Sequence, residues 1–419
     1  MFDLLIKNCV PYGMSSCMDI AIKEGRIVQI EQNIAREAAK ECIDAANCFI
    51  APGFVDSHMH WDKVFTMNTD ESCSLDEAIR RFQDYCNALT KEELKRDIKG
   101  RAMRLARSAV ANGTTSARSH ANIDETTGMA GIEALNELKQ ELKDVIRLQI
   151  TVLPNFPDRD ANRYGFGDLE NVLNEGLADF VGGAPFFNTH AENEKILMRL
   201  FAIAEKFALP IDLHVDESDA PDVHCLETIA DLTLQYGFTG KVSCGHCTAM
   251  NAVDEATRNR VIEKCHKAEL NIISLPSCNL FLMGRNDAQP IRRGITTIKE
   301  FMAAGVNVAI ASDNIRDPFR PYGNGNMLEE CLLTAQLIQA SRIQEFNDVY
   351  RMGTYNAAKA MILDGYGIEK GCRADLVIFD TPDLQETLLS QGTKRIVIFG
   401  GRVVSSTEKN TVSCIDAAK

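Results

Sequence analysis

The chain has 419 residues, 45% hydrophobic and 25% charged, ordinary values for a globular protein and enough for one large barrel plus a small second domain. Its formal net charge of −14 argues against a nucleic-acid backbone or an anionic membrane as partner, because both select basic faces. Fourteen cysteines, mostly single and with one CxxC (Cys244-Gly-His-Cys247), exclude a Cys₄ zinc framework and fit reduced thiols in a cytoplasm.

The opening residues Met-Phe-Asp-Leu-Leu-Ile-Lys-Asn lack a basic stretch followed by a long apolar one, so no signal peptide is expected. No run of about 18 apolar residues suggests a membrane span. Strands are predicted at residues 2–7, 19–23, 26–31 (after the turn at Glu24-Gly25) and 47–51, with helical periodicity only around 34–41. Beyond Gly53 the texture changes. Strands are predicted at 54–58, 114–120, 147–153, 179–183, 210–214, 241–246, 271–275 and 307–312. Helices are predicted at 74–89, 91–111, 132–142, 192–207, 222–236, 256–268 and 297–304.

Eight strands alternating with helices predict an α/β fold, a parallel sheet closed as a (β/α)8 TIM-type barrel. The alternative is an open doubly wound sheet, but no GxGxxG follows the first strand to support it. After Gly365 strand texture returns at 374–380 and 395–399, and Gly400-Gly401 makes a tight hairpin into 402–406. Segments at the two ends are most simply explained if they pair with each other. Residues 1–51 and 366–419 are therefore expected to form one small split β-sandwich domain, and residues 52–365 the barrel.

The strongest local signal is His58-Met59-His60 at the end of the first barrel strand. Side chains at i and i+2 of a strand point the same way, so two imidazoles emerge together at the barrel mouth, where such folds keep their chemistry. His214 ends the fifth strand, His246 the sixth and Asp313 the eighth, while His120 ends the second. With eight histidines in all, that concentration points to a metal site rather than to scattered core histidines. A soft thiolate site at Cys244 and Cys247 is the rival reading. Glu217, three residues beyond His214, can face a substrate without ligating.

Pro52-Gly53-Phe54-Val55-Asp56-Ser57-His58-Met59-His60, His214, His246 and Ser312-Asp313-Asn314 resemble the amidohydrolase superfamily across nearly the whole chain. His-Val-Asp-Glu-Ser (214–218), Gly-His-Cys-Thr-Ala-Met (245–250), Gly-Arg (284–285), Arg-Arg-Gly-Ile-Thr (292–296) and Asp-Pro-Phe-Arg-Pro-Tyr-Gly-Asn-Gly-Asn-Met (317–327) resemble the bacterial cytosine deaminase group. That group includes the aminohydrolase of the s-triazine N-isopropylammelide. The resemblance implies that His58, His60, His214 and Asp313 bind one divalent ion, Zn²⁺ or Fe²⁺. A binuclear site would need a lysine at the end of strand 4, and residues 177–192 contain none.

It further implies Asp313 as acceptor of the water proton, His246 as the group orienting the nucleophile, and Glu217 as the proton shuttle. Asn155 falls where cytosine deaminase has a glutamine on the pyrimidine edge, and Asn314 where it has an acid. Trp61, Phe156, Phe186, Phe187 and Phe281 are candidates to wall a flat ring, Trp61 foremost because it follows the ligand pair. Asp62 and Lys63 are expected to brace the mouth through a salt bridge, and His120 to orient a ligand or water. His190, His224 and His266 are expected at the surface.

The expectation is a cytoplasmic aminohydrolase of cytosine or a related aminopyrimidine, releasing ammonia. Alternatives are an ammelide-type triazine or creatinine-type aminohydrolase, and a non-catalytic scaffold, which would be expected to have lost ligands that this chain keeps. The expected partner is a small heterocycle, and relatives of this kind are commonly homo-oligomers.

Overall fold

The computed structural model describes residues 1–67, 74–154, 165–185, 188–392 and 395–408. Contacts divide the chain into two compact units: Met1–Gly53, Val110–Thr115 and Gly365–Lys419 form one, Phe54–Ala109 and Ser116–Asp364 the other.

The first unit begins with β1 (Phe2–Pro11), β2 (Met18–Lys23), β3 (Arg26–Glu31), β4 (Ala39–Asp44) and β5 (Phe49–Pro52). Alternation sorts β1: Leu4 and Ile6 face a core with Ile20, Ile22, Ile50, Leu376 and Ile378, while Leu5 faces the opposite side with Ala21 and Ile34. The β2–β3 hairpin turns at Glu24 (φ 51°) and Gly25 (φ 73°), the left-handed pair that a two-residue turn requires. β1 is shared between two layers. Its first half pairs in parallel with β4 (Phe2↔Ala39 to Lys7↔Asp44), and its end pairs with β5 (Val10↔Phe49, Pro11↔Ile50).

The barrel comprises β6 (Phe54–Met59), β7 (Thr114–Ile123), β8 (Arg147–Pro154), β9 (Phe180–Gly183), β10 (Ile211–Val215), β11 (Val242–His246), β12 (Asn271–Ser274) and β13 (Asn307–Ile310). Their order around the sheet is their order in the chain. A parallel bridge between Met59 and Asp313, with the Asp313 N–H donating to the His58 carbonyl at 3.0 Å, joins the two outer strands and closes the barrel. This is the expected TIM-type fold. The predicted helices form, among them Leu75–Asn87, opened by a Ser74–Glu77 capping box, and Glu255–Lys267, capped by Asp254 and carrying Lys264, His266 and Lys267 in its last turn. Pro276–Leu282 and Met327–Leu337 are further helices, not anticipated from periodicity.

The chain then returns to the first unit with β14 (Leu376–Phe379), β15 (Arg395–Phe399) and β16 (Arg402–Thr407). β14 lies antiparallel to β5 (Ile50↔Ile378, Pro52↔Leu376), so the two chain ends complete one sheet in the order β16-β15-β14-β5-β1-β2-β3, with β4 on β1. One expectation for this unit needs correction. Residues 34–41 were expected to be helical, but only Arg36–Ala38 turn, as a single 3-10 turn, before β4. No residue of β4 is buried, and its pairing with β1 overrides the weak local periodicity.

Candidate active site

Every candidate metal ligand leaves the C-terminal end of a barrel strand, where successive side chains alternate between the lumen and the helical layer. His58 and His60 share one parity on β6 and its continuation. The intervening parity belongs to Met59 and Trp61, whose indole Nε1 lies 3.1 Å from Met59 Sδ. Trp61 is fully buried there and does not line the cavity, which corrects its expected place against the substrate. Directly following the pair is the reason it points away.

The imidazoles converge. His60 Nε2 lies 3.0 Å from His214 Nε2, and His58 Nε2 lies 3.3 Å from the same atom. Asp313 Oδ1 stands 3.4 Å from His60 Nε2 and 3.9 Å from His58 Nε2. Both Asp313 oxygens are buried without an N–H or O–H donor. Burial, reinforced by mutual repulsion, holds the pKa values of all three histidines well below the usual 6.5, so the rings are neutral and offer lone pairs. Burial likewise raises Asp313. Imidazole lone pairs and a carboxylate crowded together, without donors between them, fit a cation.

Close packing makes this convergence possible. A Cβ on Gly245, which lies beside His214 in the β10–β11 register, would stand 2.7 Å from His58 Cε1. Below the cluster, His120 Nε2 approaches His58 Nδ1 at 3.1 Å and Asp212 Oδ2 at 3.0 Å, and Asp212 pairs with Arg118 at 2.8 Å. His120 is thus beside a candidate ligand, as expected of an orienting group. Lys63 Nζ lies 3.0 Å from His60 Nδ1 and packs between the rings of Phe82 and Phe319. The expected Asp62–Lys63 bridge is replaced: in the turn closed by the Lys63 N–H on the His60 carbonyl at 3.0 Å, Lys63 is directed to the His60 ring while Asp62 accepts the Asn122 N–H at 3.1 Å.

On the facing wall, His246 Nδ1 lies 3.2 Å from Glu217 Oε1. Burial pulls the His246 pKa down, but the Glu217 carboxylate and, at longer range, Asp313 outweigh it and raise the value. His246 (φ 68°), Cys247 (φ 51°), Asp216 (φ 46°) and Asp313 (φ 58°) all adopt the left-handed region, which costs about 1–2 kcal/mol each for a residue with a Cβ. The strain is held by tertiary bonds, such as Thr296 Oγ1 to the His246 carbonyl at 2.6 Å and Cys247 N–H to the Val215 carbonyl at 2.9 Å. Cys244 and Cys247 are buried thiols pushed well above their ordinary pKa by that burial, unsuited to a thiolate site.

His60, His214, Glu217, His246, Asp313 and Asn314 line one cavity. Apolar side chains, among them Leu75, Ile79, Phe82, Leu153, Leu282 and Phe319, line the same cavity beside the polar Asn122, Asp124 and Thr127.

The amidohydrolase family pattern matches residues 80–405. The chain belongs to the amidohydrolase family. An N-isopropylammelide isopropyl amidohydrolase of Pseudomonas sp. (strain ADP) is 28% identical over 97% of this chain and 98% of its own. A pterin deaminase of Rhizobium rhizogenes is 31% identical over 92% and 87%. The crystal structure of 5-methylcytosine deaminase from Klebsiella pneumoniae liganded with 5-fluorocytosine superposes with a TM-score of 0.88 at 28% identity, covering 98% of this chain and 99% of that one. Amidohydrolases of this kind act on carbon–nitrogen bonds, and this chain is such a hydrolase.

Within this amidohydrolase, Asn314 borders the cavity, its amide nitrogen donating to Asp317 Oδ2 at 2.7 Å. Asn155, Phe156, Phe186 and Phe187 lie outside the described residues. Phe281 stacks edgewise on Tyr322, 5.9 Å between centroids, and does not line the cavity. His190 and His266 are exposed as expected, while His224 is partly covered and stacks on His190 at 4.1 Å. Sequence reasoning missed Asn279, buried against His246 and Glu217. A polar residue inside the otherwise apolar stretch 278–282, just beyond a barrel strand, was the available signal. No described helix is long and apolar enough to cross a membrane.

Proposed function

We propose that this amidohydrolase removes the exocyclic amine from a small nitrogen heterocycle, cytosine or a related aminopyrimidine, converting ring C–NH₂ and water into C=O and ammonia. The observation that carries the reading is the single cavity onto which the His60, His214 and Asp313 cluster and the His246–Glu217 pair both open. A divalent ion held by His58, His60, His214 and Asp313, zinc or iron, would acidify bound water and supply the nucleophile near neutral pH.

The chain's own groups do the rest. Asp313 accepts the proton that the water gives up. Glu217, reachable from the cavity and bonded to His246, carries a proton to a ring nitrogen as the carbon becomes tetrahedral, and then one to the departing amine. His246 has its Nε2 buried without a protein partner, free to orient the attacking oxygen. Asn314, its NH₂ engaged by Asp317, offers a carbonyl oxygen to a ring N–H.

A second reading, release of an alkylamine from an s-triazine, is favoured by the apolar wall of Leu75, Ile79 and Phe82, which suits an alkyl substituent. It is also favoured by the near full-length likeness to the ammelide hydrolase. The test is amine release from cytosine, isocytosine, pterin, creatinine, ammelide and N-isopropylammelide by the zinc- and iron-loaded protein. Ammonia from an aminopyrimidine supports the first reading and isopropylamine the second. No amine from any of them would overturn both.

A further inference from the structure

Arg320, within the 317–327 stretch, is buried and has no part in the proposed chemistry. Its Nη1 donates to the Ser312 carbonyl at 3.1 Å and to the Asn314 carbonyl at 3.2 Å, one on either side of Asp313. Its Nη2 lies 3.2 Å from Glu330 Oε1 on the helix Met327–Leu337. Ser277 Oγ donates to that same oxygen at 2.7 Å.

We infer that Arg320 is a positioning residue for the metal site, tying the backbone on both sides of Asp313 so that its carboxylate stays directed at the histidines. This deepens the proposed function and rests on the role given there to Asp313 as a ligand.

The Asp313 backbone needs such a restraint. Its φ of 58° lies in the left-handed region, which a residue with a Cβ leaves when it is free to do so. The His58 carbonyl takes the Asp313 N–H at 3.0 Å, and Asp56 takes the Ser312 N–H at 3.0 Å. Both of those bonds tie the loop to β6, and the guanidinium grips it through its carbonyls. The guanidinium is itself held in place. Asp317 Oδ1 accepts the Arg320 N–H at 3.0 Å, and a Cβ on Gly323 (φ 101°) would stand 3.1 Å from Nη1. Pairing with Glu330 accounts for Nη2 alone, whereas Nη1 serves the two carbonyls that flank the ligand. A planar fork of donors can hold two carbonyls and a carboxylate together, which the single nitrogen of a lysine cannot match.

The test is the zinc affinity of the purified protein, measured by competition with a chelating dye. Arg320→Met combined with Glu330→Gln removes the clamp without stranding a buried charge, and should weaken zinc binding about 10- to 100-fold. Glu330→Gln alone leaves both carbonyl bonds in place and should bind zinc within about threefold of wild type. Arg320→Lys keeps a charge facing Glu330, so its urea midpoint should stay near wild type while zinc affinity falls by the same order as in the double variant.

Wild-type zinc affinity in the double variant or in Arg320→Lys would overturn the inference. So would a loss in Glu330→Gln as large as that of the double variant, since the ion pair rather than the carbonyl bonds would then matter. Should the double variant not fold, Arg320→Lys decides alone. A crystal structure of Arg320→Lys reads the same point without metal or turnover: Asp313 should be displaced from His60, and an unmoved Asp313 would count against the assignment. If Asp313 moves as stated but wild type releases no amine from any panel substrate, the proposed function has failed and the role of Arg320 stands.

Discussion

Arg118 and Asp212 form an ion pair at 2.8 Å on the floor of the barrel, both without solvent exposure, directly beneath the ring of His120. The Arg118 guanidinium also donates to the Ala360 carbonyl at 2.9 Å. Removing one partner of such a pair strands the other charge out of water, at a cost of about 3–5 kcal/mol. Arg118→Met should therefore lower the unfolding free energy, read from urea titration, by that order and move the midpoint down with it. A midpoint within experimental error of wild type would mean that Asp212 is relieved in some other way.

Gly245→Ala tests the packing that lets the imidazoles meet. The added methyl would sit 2.7 Å from His58 Cε1 and 2.9 Å from its Nδ1, so the ring must move. Zinc affinity should fall about 10- to 100-fold while the fold persists. Gly100→Ala is the control: its Cβ meets nothing within 4 Å, and in a helix the change stabilises by about 0.5–1 kcal/mol. Equal zinc affinity in Gly245→Ala and wild type would remove His58 from the ligand set.

The proposed division of labour separates binding from proton transfer. His214→Ala should lose both bound metal and turnover. Glu217→Gln keeps the shape of the side chain but cannot carry a proton, so it should retain metal and lose about 10²–10⁴ in kcat. Metal content by mass spectrometry beside steady-state kinetics distinguishes the two. An unchanged rate in Glu217→Gln would take that residue out of the mechanism.

Asp19 gives a pH-dependent stability. Burial acts to raise its pKa, but the Lys7 ammonium at 2.9 Å and the N–H groups of Asn8 and Ile34, each at 2.9 Å, outweigh it and hold the value below 3.8. With the folded pKa depressed, its contribution is complete above 3.8 and is lost as pH falls through the folded value. Asp19→Asn should be about 2–3 kcal/mol less stable than wild type at neutral pH, from lost charge-assisted bonds. That gap should close in acid. A gap independent of pH would show that packing, not charge, accounts for it.

Much of the site was readable from strand ends. His58, His60, His214, His246 and Asp313 announce themselves because each follows an apolar run, and a closed parallel sheet gathers such ends at one mouth. Trp61 was misplaced by adjacency, although parity from His58 and His60 already pointed it elsewhere. Asn279 escaped because its meaning depends on two partners, 33 and 62 residues away in sequence. β4 escaped because Ala-Lys-Glu-Cys-Ile-Asp carries little apolar signal and becomes a strand only against β1.

The pairing of β5 with β14 has a consequence for synthesis. A ribosome completes β5 early and must then make the entire barrel before its neighbour emerges. Throughout that interval the nascent chain carries an open row of peptide groups, able to recruit another polypeptide. Truncation before Leu376 would make that vulnerability permanent, so such fragments should precipitate even where every strand of the barrel is intact.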